Sequence, residues 1–274
     1  MPAASGFIGL GNIGAPMAHR VAEGTQTIVF DVRAGARSAF EGKAQVAQSP
    51  AEIGKEADVV GLCVRDDADV TAVTAGSDGL FETMGKGGII LVHSTVSPAT
   101  IHRLAAQAAA KGIDLVDAAV TGGPGRAAAG TLVTMIGATP EAFAKARPFA
   151  AHFSSEVIHA GELGAGIAAK ICNNIVGYMS VLAVYESFGV AEAAGVSPDV
   201  LRKIMSGNGN LTEMMGLYLA GREAVRSGGV PATGTQHAAS LARKDLALGI
   251  ELGEANGRDA RVSRAIRELI DLAF

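Results

Sequence analysis

A chain of 274 residues is long enough for two ordinary domains or for one large α/β unit. Its composition, 49% hydrophobic and 18% charged, is that of a soluble globular enzyme with a large core, and a net charge of −4 gives no reason to expect nucleic acid or an anionic membrane as a partner. No run approaches about 18 uninterrupted apolar residues, so no membrane span is expected. The N-terminus lacks the basic start and long apolar core of a signal peptide, which makes the cytoplasm the expected compartment. Cys63 and Cys172 sit far apart in apolar segments and form no C-x-x-C, so both are expected to be buried free thiols in a reducing compartment.

The chain opens on a short apolar run, Gly6-Phe7-Ile8, that reads as a buried first strand. It leads into Gly9-Leu10-Gly11-Asn12-Ile13-Gly14, and an Ala-rich helical pattern starts directly afterwards at Met17-Ala18-His19-Arg20-Val21. Strand, glycines and helix in this order read as a dinucleotide-binding turn. Gly9 permits the tight turn, Gly11 lets a pyrophosphate come close to the backbone, and Gly14 lets the helix pack on the strand. The N–H groups at the helix start then face the phosphates. A second strand, Thr27-Ile28-Val29-Phe30, ends in Asp31, where a carboxylate is placed to accept hydrogen bonds from the adenosine ribose. That acid predicts NAD in preference to NADP, although Arg33 and Arg37 lie close enough in sequence to accommodate a 2′-phosphate.

Further candidate strands are Val59–Val64, Ile89–Val92, Asp114–Asp117 and Leu132–Ile136, with helical pieces such as Ile101–Ala110 and Glu141–Phe149 between them. Alternating β and α predicts a mostly parallel sheet whose ligands sit at the carboxyl ends of the strands. Three loops leave those ends: Arg65-Asp66-Asp67, Ser94-Thr95-Val96-Ser97-Pro98 and Thr121-Gly122-Gly123-Pro124-Gly125. After about residue 162 helical periodicity takes over. Gly164–Ala194 reads as one helix about 45 Å long, ended by Gly195-Val196-Ser197-Pro198, with helical segments near 198–206, 212–226, 236–255 and 260–272 beyond it. The predicted fold is an α/β dinucleotide-binding domain of the Rossmann type over residues 1–162 and an all-α domain over 163–274, joined by the long helix. Ile167, Ile171, Ile175, Tyr178, Leu182, Tyr185 and Gly189 share one broad face of that helix, while Val176, Met179, Val181, Val184 and Val190 populate others. A helix apolar nearly all round is buried on most sides, which predicts a subunit interface.

Lys170 and Asn174 are polar residues four apart in that apolar helix and share a face. A lysine so placed loses hydration, which moves its pKa toward the range of acid–base work; the same pattern also fits a snorkelling lysine beside an asparagine that bonds backbone. Thr121-Gly122-Gly123 follows a strand ending at the ligand edge, where paired glycines offer an amide nest for a carboxylate or make a plain turn. Lys244-Asp245 on a late helix reads by itself as a solvated charge pair. No His-Glu-x-x-His or Cys/His cluster is present, so no metal is expected.

These stretches together resemble the β-hydroxyacid dehydrogenases, the family of 3-hydroxyisobutyrate dehydrogenase and the semialdehyde reductases. The similarity covers nearly the whole chain. It rests on the opening motif Gly6–Ala18, on Asp117–Gly123 followed by Gly130–Gly137, on Gly161–Asn174 and on Lys244-Asp245-Leu246. The resemblance implies a reversible hydride transfer between nicotinamide and a short 3-hydroxy acid. Within it, Lys170 is implied to be catalytic with Asn174, and Asn173, Thr121, Gly122 and Gly123 to bind the substrate. Leu10, Asn12 and Ile13 lie with the glycines in the cofactor stretch, Val64 and Arg65 stand beside the cofactor, and Thr95 and Lys244 line its nicotinamide end. It also implies a small anionic substrate, NAD or NADP as cofactor, and a homodimer or homotetramer.

Four positions depart from the family pattern: Thr121 for Ser, Arg126 for a small residue, His237 for Phe, and Val64-Arg65 for Leu-Pro. Arg126 and His237 are therefore expected to include at least one residue that meets the substrate and favours a polar or doubly anionic one; otherwise Arg126 leans into solvent and His237 packs at the domain edge. An imine reductase is a rival of similar fold, disfavoured by Lys170. A short-chain dehydrogenase would need Tyr-x-x-x-Lys, which none of Tyr178, Tyr185 and Tyr218 provides. A non-catalytic NAD-binding protein is the remaining alternative, disfavoured by retention of Lys170, Asn174 and the glycine pair.

Overall fold

A computed structural model describes residues 4–229 and 232–274, with the side chains of 232–237 left aside. It divides into two compact units, Met1–Lys170 and Ile171–Phe274.

The first unit is built on an eight-stranded sheet. Its strands are β1 (Ala4–Ile8), β2 (Thr27–Phe30), β3 (Gln45–Val46), β4 (Ala57–Leu62), β5 (Ile89–Val92), β6 (Asp114–Thr121), β7 (Leu132–Gly137) and β8 (Ser154–Gly161). Between them run α1 (Gly14–Gly24), α2 (Ala34–Ser38), α3 (Pro50–Glu56), α4 (Asp67–Ala75), α5 (Pro98–Ala110), α6 (Gly123–Ala129) and α7 (Pro140–Ala150). The strand order is β3-β2-β1-β4-β5-β6-β7-β8. All neighbours pair in parallel except β6 and β7, which are antiparallel, so the sheet is mostly parallel as expected. β1, β2 and β5 are buried at every residue, which is why they read as unbroken apolar runs without alternation.

Two strands escape the sequence reading. β3 has two residues, and β8 is an edge strand with half its residues exposed, among them Ser155, Glu156 and His159, and with no apolar alternation. β6 runs through the apolar stretch after Asp117 to Thr121, at the ligand edge where the strand before the glycine pair is expected to end.

The second unit is helical: α8 (Ala165–Ala193, shared with the first unit up to Lys170), α9 (Pro198–Gly207), α10 (Glu213–Arg226), α11 (Ala232–Ala255) and α12 (Arg261–Leu269). Gly195 takes the left-handed φ of +80° and Ser197 caps α9 through the amide of Val200, as the Gly-x-Ser-Pro signal requires. One cluster packs Ala242, Leu246, Ile266 and Ile270 against Ile175, Tyr178 and Leu182; another joins Val184, Phe188 and Leu219. Yet only 22% of the most apolar 18-residue stretch of α8 is buried, and Val176 and Val190 are 63% and 60% exposed.

The core of the first unit holds one titratable ring. His93, just past β5, is buried among Phe7, Phe149 and Phe153, and its Nδ1 bonds the Ala118 carbonyl at 2.7 Å. Burial holds its pKa down at about 4, against the weaker upward pull of the Ala118 carbonyl. The neutral ring is thus favoured in the folded state, and below the unfolded value of about 6.5 the unfolded chain binds the extra proton. The stability it permits is complete above about pH 6.5 and is lost as pH falls toward about 4. Denaturant unfolding of wild type and His93→Phe at pH 7 and pH 5 checks this. The wild type is expected to lose about 2 kcal/mol more than the variant over that interval, and equal losses would refute the assignment.

Candidate active site

The first βα turn is shaped by three glycines with different duties. Gly9 has φ of +94°, and a Cβ there would lie 2.2 Å from the Cys63 carbonyl oxygen. A Cβ on Gly14 would lie 1.9 Å from the Gly9 carbonyl oxygen, so the start of α1 closes directly onto the end of β1. A Cβ on Gly11 would meet nothing within 4 Å. The turn therefore uses two glycines for its own packing and leaves the third facing open space, as close approach of a pyrophosphate requires. No side chain caps α1, whereas α3, α4, α5 and α7 are each capped by Ser49, Asp66, Ser97 or Thr139. An uncapped N-terminus beside an open glycine is what a dinucleotide phosphate fits.

At the end of β2, Asp31 is buried and its carboxylate is already occupied. Oδ2 accepts the Leu10 amide at 2.7 Å, Oδ1 accepts the Arg33 amide at 2.8 Å, and the Arg33 guanidinium grips both oxygens at 3.0 and 3.1 Å. Burial alone would raise the Asp31 pKa, but these Arg33 and Leu10 bonds outweigh it and hold the carboxyl below its ordinary value. Arg33 also donates to the Leu10 carbonyl at 3.1 Å, and Arg37 donates to the Asp31 carbonyl at 2.7 Å. The acid and the two arginines thus form one cluster around the glycine turn.

The next two loops are tied together. Ser94 Oγ accepts the Val64 amide at 2.9 Å and donates to the Val64 carbonyl at 2.8 Å. Asp67 Oδ1 accepts both the amide and the hydroxyl of Ser97. Arg65 is exposed and paired with Asp69 at 2.7 Å. Thr95 sits between the anchored residues Ser94 and Ser97, so its backbone is held. The sequence places Ser94 and Asp67 in loops at the ligand edge, and the structure adds that their side chains tie those loops together, a pairing over 30 residues that no local pattern signals.

Thr121 ends β6, and Gly122 and Gly123 follow with φ of +131° and +76°, conformations that favour glycine. A Cβ on Gly122 would meet Arg126 Cδ at 2.9 Å, so the stem of the exposed Arg126 lies over the turn. Lys170 and Asn174 follow one another by one turn of α8. In the second unit Asn174 Nδ2 donates to Asp245 Oδ2 at 2.7 Å, and the Tyr178 hydroxyl donates to the same oxygen at 2.9 Å. Asp245 Oδ1 lies 3.5 Å from Lys244 Nζ. Asp245 is buried, which corrects its reading as half of a solvated pair: it is an internal acceptor that orients the Asn174 amide. Burial, and the adjacent Asp245 charge, push the Tyr178 hydroxyl far above its ordinary pKa, so Tyr178 keeps the proton it donates to Asp245. Asn173 is exposed within α8, and the side chain of His237 lies outside the described residues.

The cysteines separate. Cys63 is half-buried, and loss of hydration pushes its thiol up to about 12, hence unreactive. Cys172 is exposed on α8, which corrects the expectation that both are buried: apolar neighbours in sequence do not place a helix residue on the inner face. Among the described residues no group of three or more His, Cys, Asp or Glu could hold a metal ion.

Residues 4–161 match the family model for the NAD binding domain of 6-phosphogluconate dehydrogenase, and residues 164–273 match that for the NAD-binding domain of NADP-dependent 3-hydroxyisobutyrate dehydrogenase. An uncharacterised oxidoreductase of Mycobacterium tuberculosis is 37% identical over 91% of this chain and 85% of its own length. The 3-hydroxyisobutyrate dehydrogenase of Pseudomonas aeruginosa is 36% identical over 77% of this chain and 72% of its own. Among solved structures, M. tuberculosis 3-hydroxyisobutyrate dehydrogenase with L-serine superposes with a TM-score of 0.81 at 28% identity, covering 98% of this chain and 93% of that one. A Streptomyces aurantiacus imine reductase, at 18% identity and a TM-score of 0.67 over 97% of this chain and 93% of that one, shares the fold alone. With both halves of the chain matched in order, and with the glycine turn built to receive a dinucleotide, this chain belongs to the β-hydroxyacid dehydrogenase family of NAD(P)-dependent oxidoreductases.

Proposed function

We propose that this enzyme interconverts a short 3-hydroxy acid and its semialdehyde, with Lys170 as the group that moves the proton. The observation that carries the reading is the pair Lys170 and Asn174, one helical turn apart on α8, with the Asn174 amide oriented by the buried Asp245. A bound nicotinamide supplies the hydride acceptor or donor. In oxidation Lys170 accepts the hydroxyl proton, and in reduction it returns a proton to the carbonyl oxygen while its charge offsets the negative charge developing there. Asn174 uses its amide to donate to Asp245, which leaves its carbonyl oxygen for the substrate hydroxyl. In this reading the family resemblance assigns the substrate carboxylate to Thr121, Gly122 and Gly123 and counts Asn173 among the substrate-binding residues, and at least one of Arg126, whose stem lies over the Gly122 turn, and His237 favours substrates with a second polar or anionic group. The family resemblance likewise assigns Leu10, Asn12, Ile13, Val64, Arg65 and Thr95, and from the second unit Lys244, to cofactor binding.

The test is turnover with both cofactors on a panel of 3-hydroxy acids, semialdehydes and cyclic imines, read for wild type and Lys170→Ala. Wild type is expected to turn over hydroxy acids and not imines, and the variant to lose about 10²–10⁴-fold in kcat with unchanged cofactor affinity. A variant that keeps more than about a tenth of wild-type kcat would remove Lys170 from the chemistry.

NAD is the proposed preferred cofactor. Asp31 keeps a negative charge at the ribose edge, and Arg33 neutralises part of it while offering a partner for a 2′-phosphate. Arg33→Ala is expected to widen the preference for NAD, measured as the ratio of kcat/KM values, by about tenfold or more. A narrower ratio would show that Asp31 does not set the choice.

The proposed assembly is a homodimer or homotetramer in the cytoplasm. Two free thiols suit a reducing compartment. Val176 and Val190 leave an apolar stripe of α8 exposed, and α9 and α10 add Val200, Ile204, Met214 and Leu217. α8 is long and apolar enough to cross a membrane by length and composition, but its inner side chains belong to two core clusters, so a second copy is the better cover for its outer face. Sedimentation at micromolar concentration is expected to give at least twice the 27.6 kDa chain mass, and a single-chain mass would overturn the assembly.

A further inference from the structure

β6 does two things at two points. Thr121 at its end opens the glycine turn, and four residues earlier, on the same face of the sheet, stands Asp117, which is 0% exposed. Asp117 Oδ1 accepts the amide of Gly164 at 2.7 Å and Oδ2 accepts the amide of Ile167 at 2.7 Å, with the amide of Gly166 as a third donor. These groups belong to the start of α8, where helix geometry leaves the first N–H groups without a partner and gives them a partial positive charge. The carboxylate therefore caps α8 from a different element, 47 and 50 residues away in sequence.

The space around it is cut to fit. Gly137 pairs with Asp117 across the antiparallel β6–β7 ladder. A Cβ on Gly137 would lie 2.4 Å from Asp117 Oδ1, and one on Gly166 would lie 2.4 Å from the Met135 carbonyl oxygen and 2.9 Å from Asp117 Oδ2. At Gly137 and Gly166 there is thus no room for a side chain beside the Asp117 carboxylate. Burial pushes the Asp117 carboxyl upward, and the amides of Gly164 and Ile167 work against that push. A buried charge is costly unless fully bonded, and an apolar side chain could fill the gap without that cost. What an apolar side chain lacks is direction.

Lys170 follows Ile167 by three residues, about 4.5 Å along the helix axis. We propose that Asp117 is a positioning residue: by gripping the first-turn amides of α8 it sets the rotation and advance of that helix on β6, and so fixes where Lys170 stands relative to Thr121. This rests on the reading of Lys170 as the proton carrier. Asparagine at 117 would keep the shape but turn an amide N–H₂ toward N–H donors that need an acceptor.

The experiment compares wild type, Asp117→Asn and Asp117→Ser as purified full-length enzymes, well below their unfolding temperatures. Three readings are taken per folded molecule: NAD(P)H affinity, kcat with its primary isotope effect using 4-deuterated cofactor, and amide hydrogen exchange over 164–167. The inference expects cofactor affinity within about twofold of wild type, kcat at least tenfold lower, an isotope effect raised because hydride transfer has become slower, and lost protection at Gly164, Gly166 and Ile167. A purely structural carboxylate would lower the unfolding temperature and leave kcat and the isotope effect of the folded enzyme unchanged, which overturns the proposal. So does failure of both variants to accumulate as folded, cofactor-binding protein, since Asp117 would then be a requirement of the fold. Absence of turnover in the wild type itself would defeat the functional reading instead, and the exchange data would still report whether the grip exists.

Discussion

The first unit depends on one close approach. α1 starts so near the end of β1 that Gly14 and Gly9 have no room for a Cβ, and Gly9 in turn lies against the carbonyl of Cys63 at the end of β4. Three backbone segments converge there, and the fit fixes the crossover of β1 to β2 beside β4. A side chain at either glycine would have to push strand from helix, and cores packed at crystal density do not absorb such a shift cheaply. Everything at the ligand edge inherits this geometry. The open face of Gly11, the uncapped start of α1 and the position of Asp31 beneath Leu10 all follow from it.

Three buried aspartates then organise the polar parts of the molecule. Asp31 ties the β2 end to the glycine turn, Asp117 ties β6 to the start of α8, and Asp245 ties α11 to α8 through Asn174 and Tyr178. Each accepts hydrogen bonds from groups on another element, which is the condition under which a buried carboxylate is tolerated. Hydrophobic burial is non-directional and would allow these elements to slide or rotate; charged acceptors with defined lone-pair directions do not. The residues assigned to cofactor binding and to chemistry stand one step from these anchors, with Leu10 at the first, Lys170 one turn beyond the second and Asn174 on the third.

α8 joins two kinds of demand. Its first turn is specified by hydrogen bonds, and its remainder packs Ile175, Tyr178, Leu182, Val184 and Phe188 into two clusters. Its exposed valines are left over by the core of a single chain. The same helix therefore carries the proposed proton carrier, the residue oriented by Asp245, and the surface assigned to a second copy.

Much of this was legible in the residues alone. The order strand, glycines, helix, strand, acid specifies the dinucleotide turn, because the steric roles of Gly9, Gly11 and Gly14 are local to a few residues. The long helix and the change from β to α character were legible from periodicity, and four motifs at family spacing identified the family. What the sequence could not specify was long-range. β8 pairs only along one edge, so it needs no apolar alternation and shows none. Asp117 in the sequence is an acid inside an apolar strand, and Asp245 half of a Lys-Asp pair. Only the folded chain brings amides from 47 and 50 residues away to the first, and an asparagine and a tyrosine from 71 and 67 residues away to the second. Arg33 closing on Asp31 is likewise a choice of rotamer, set by the shape of the turn above it. Sequence determined which elements form and which residue types they offer, since those depend on neighbours along the chain. Tertiary structure decided which buried charges are satisfied and by what, because a hydrogen bond is made in space between groups that the chain keeps far apart.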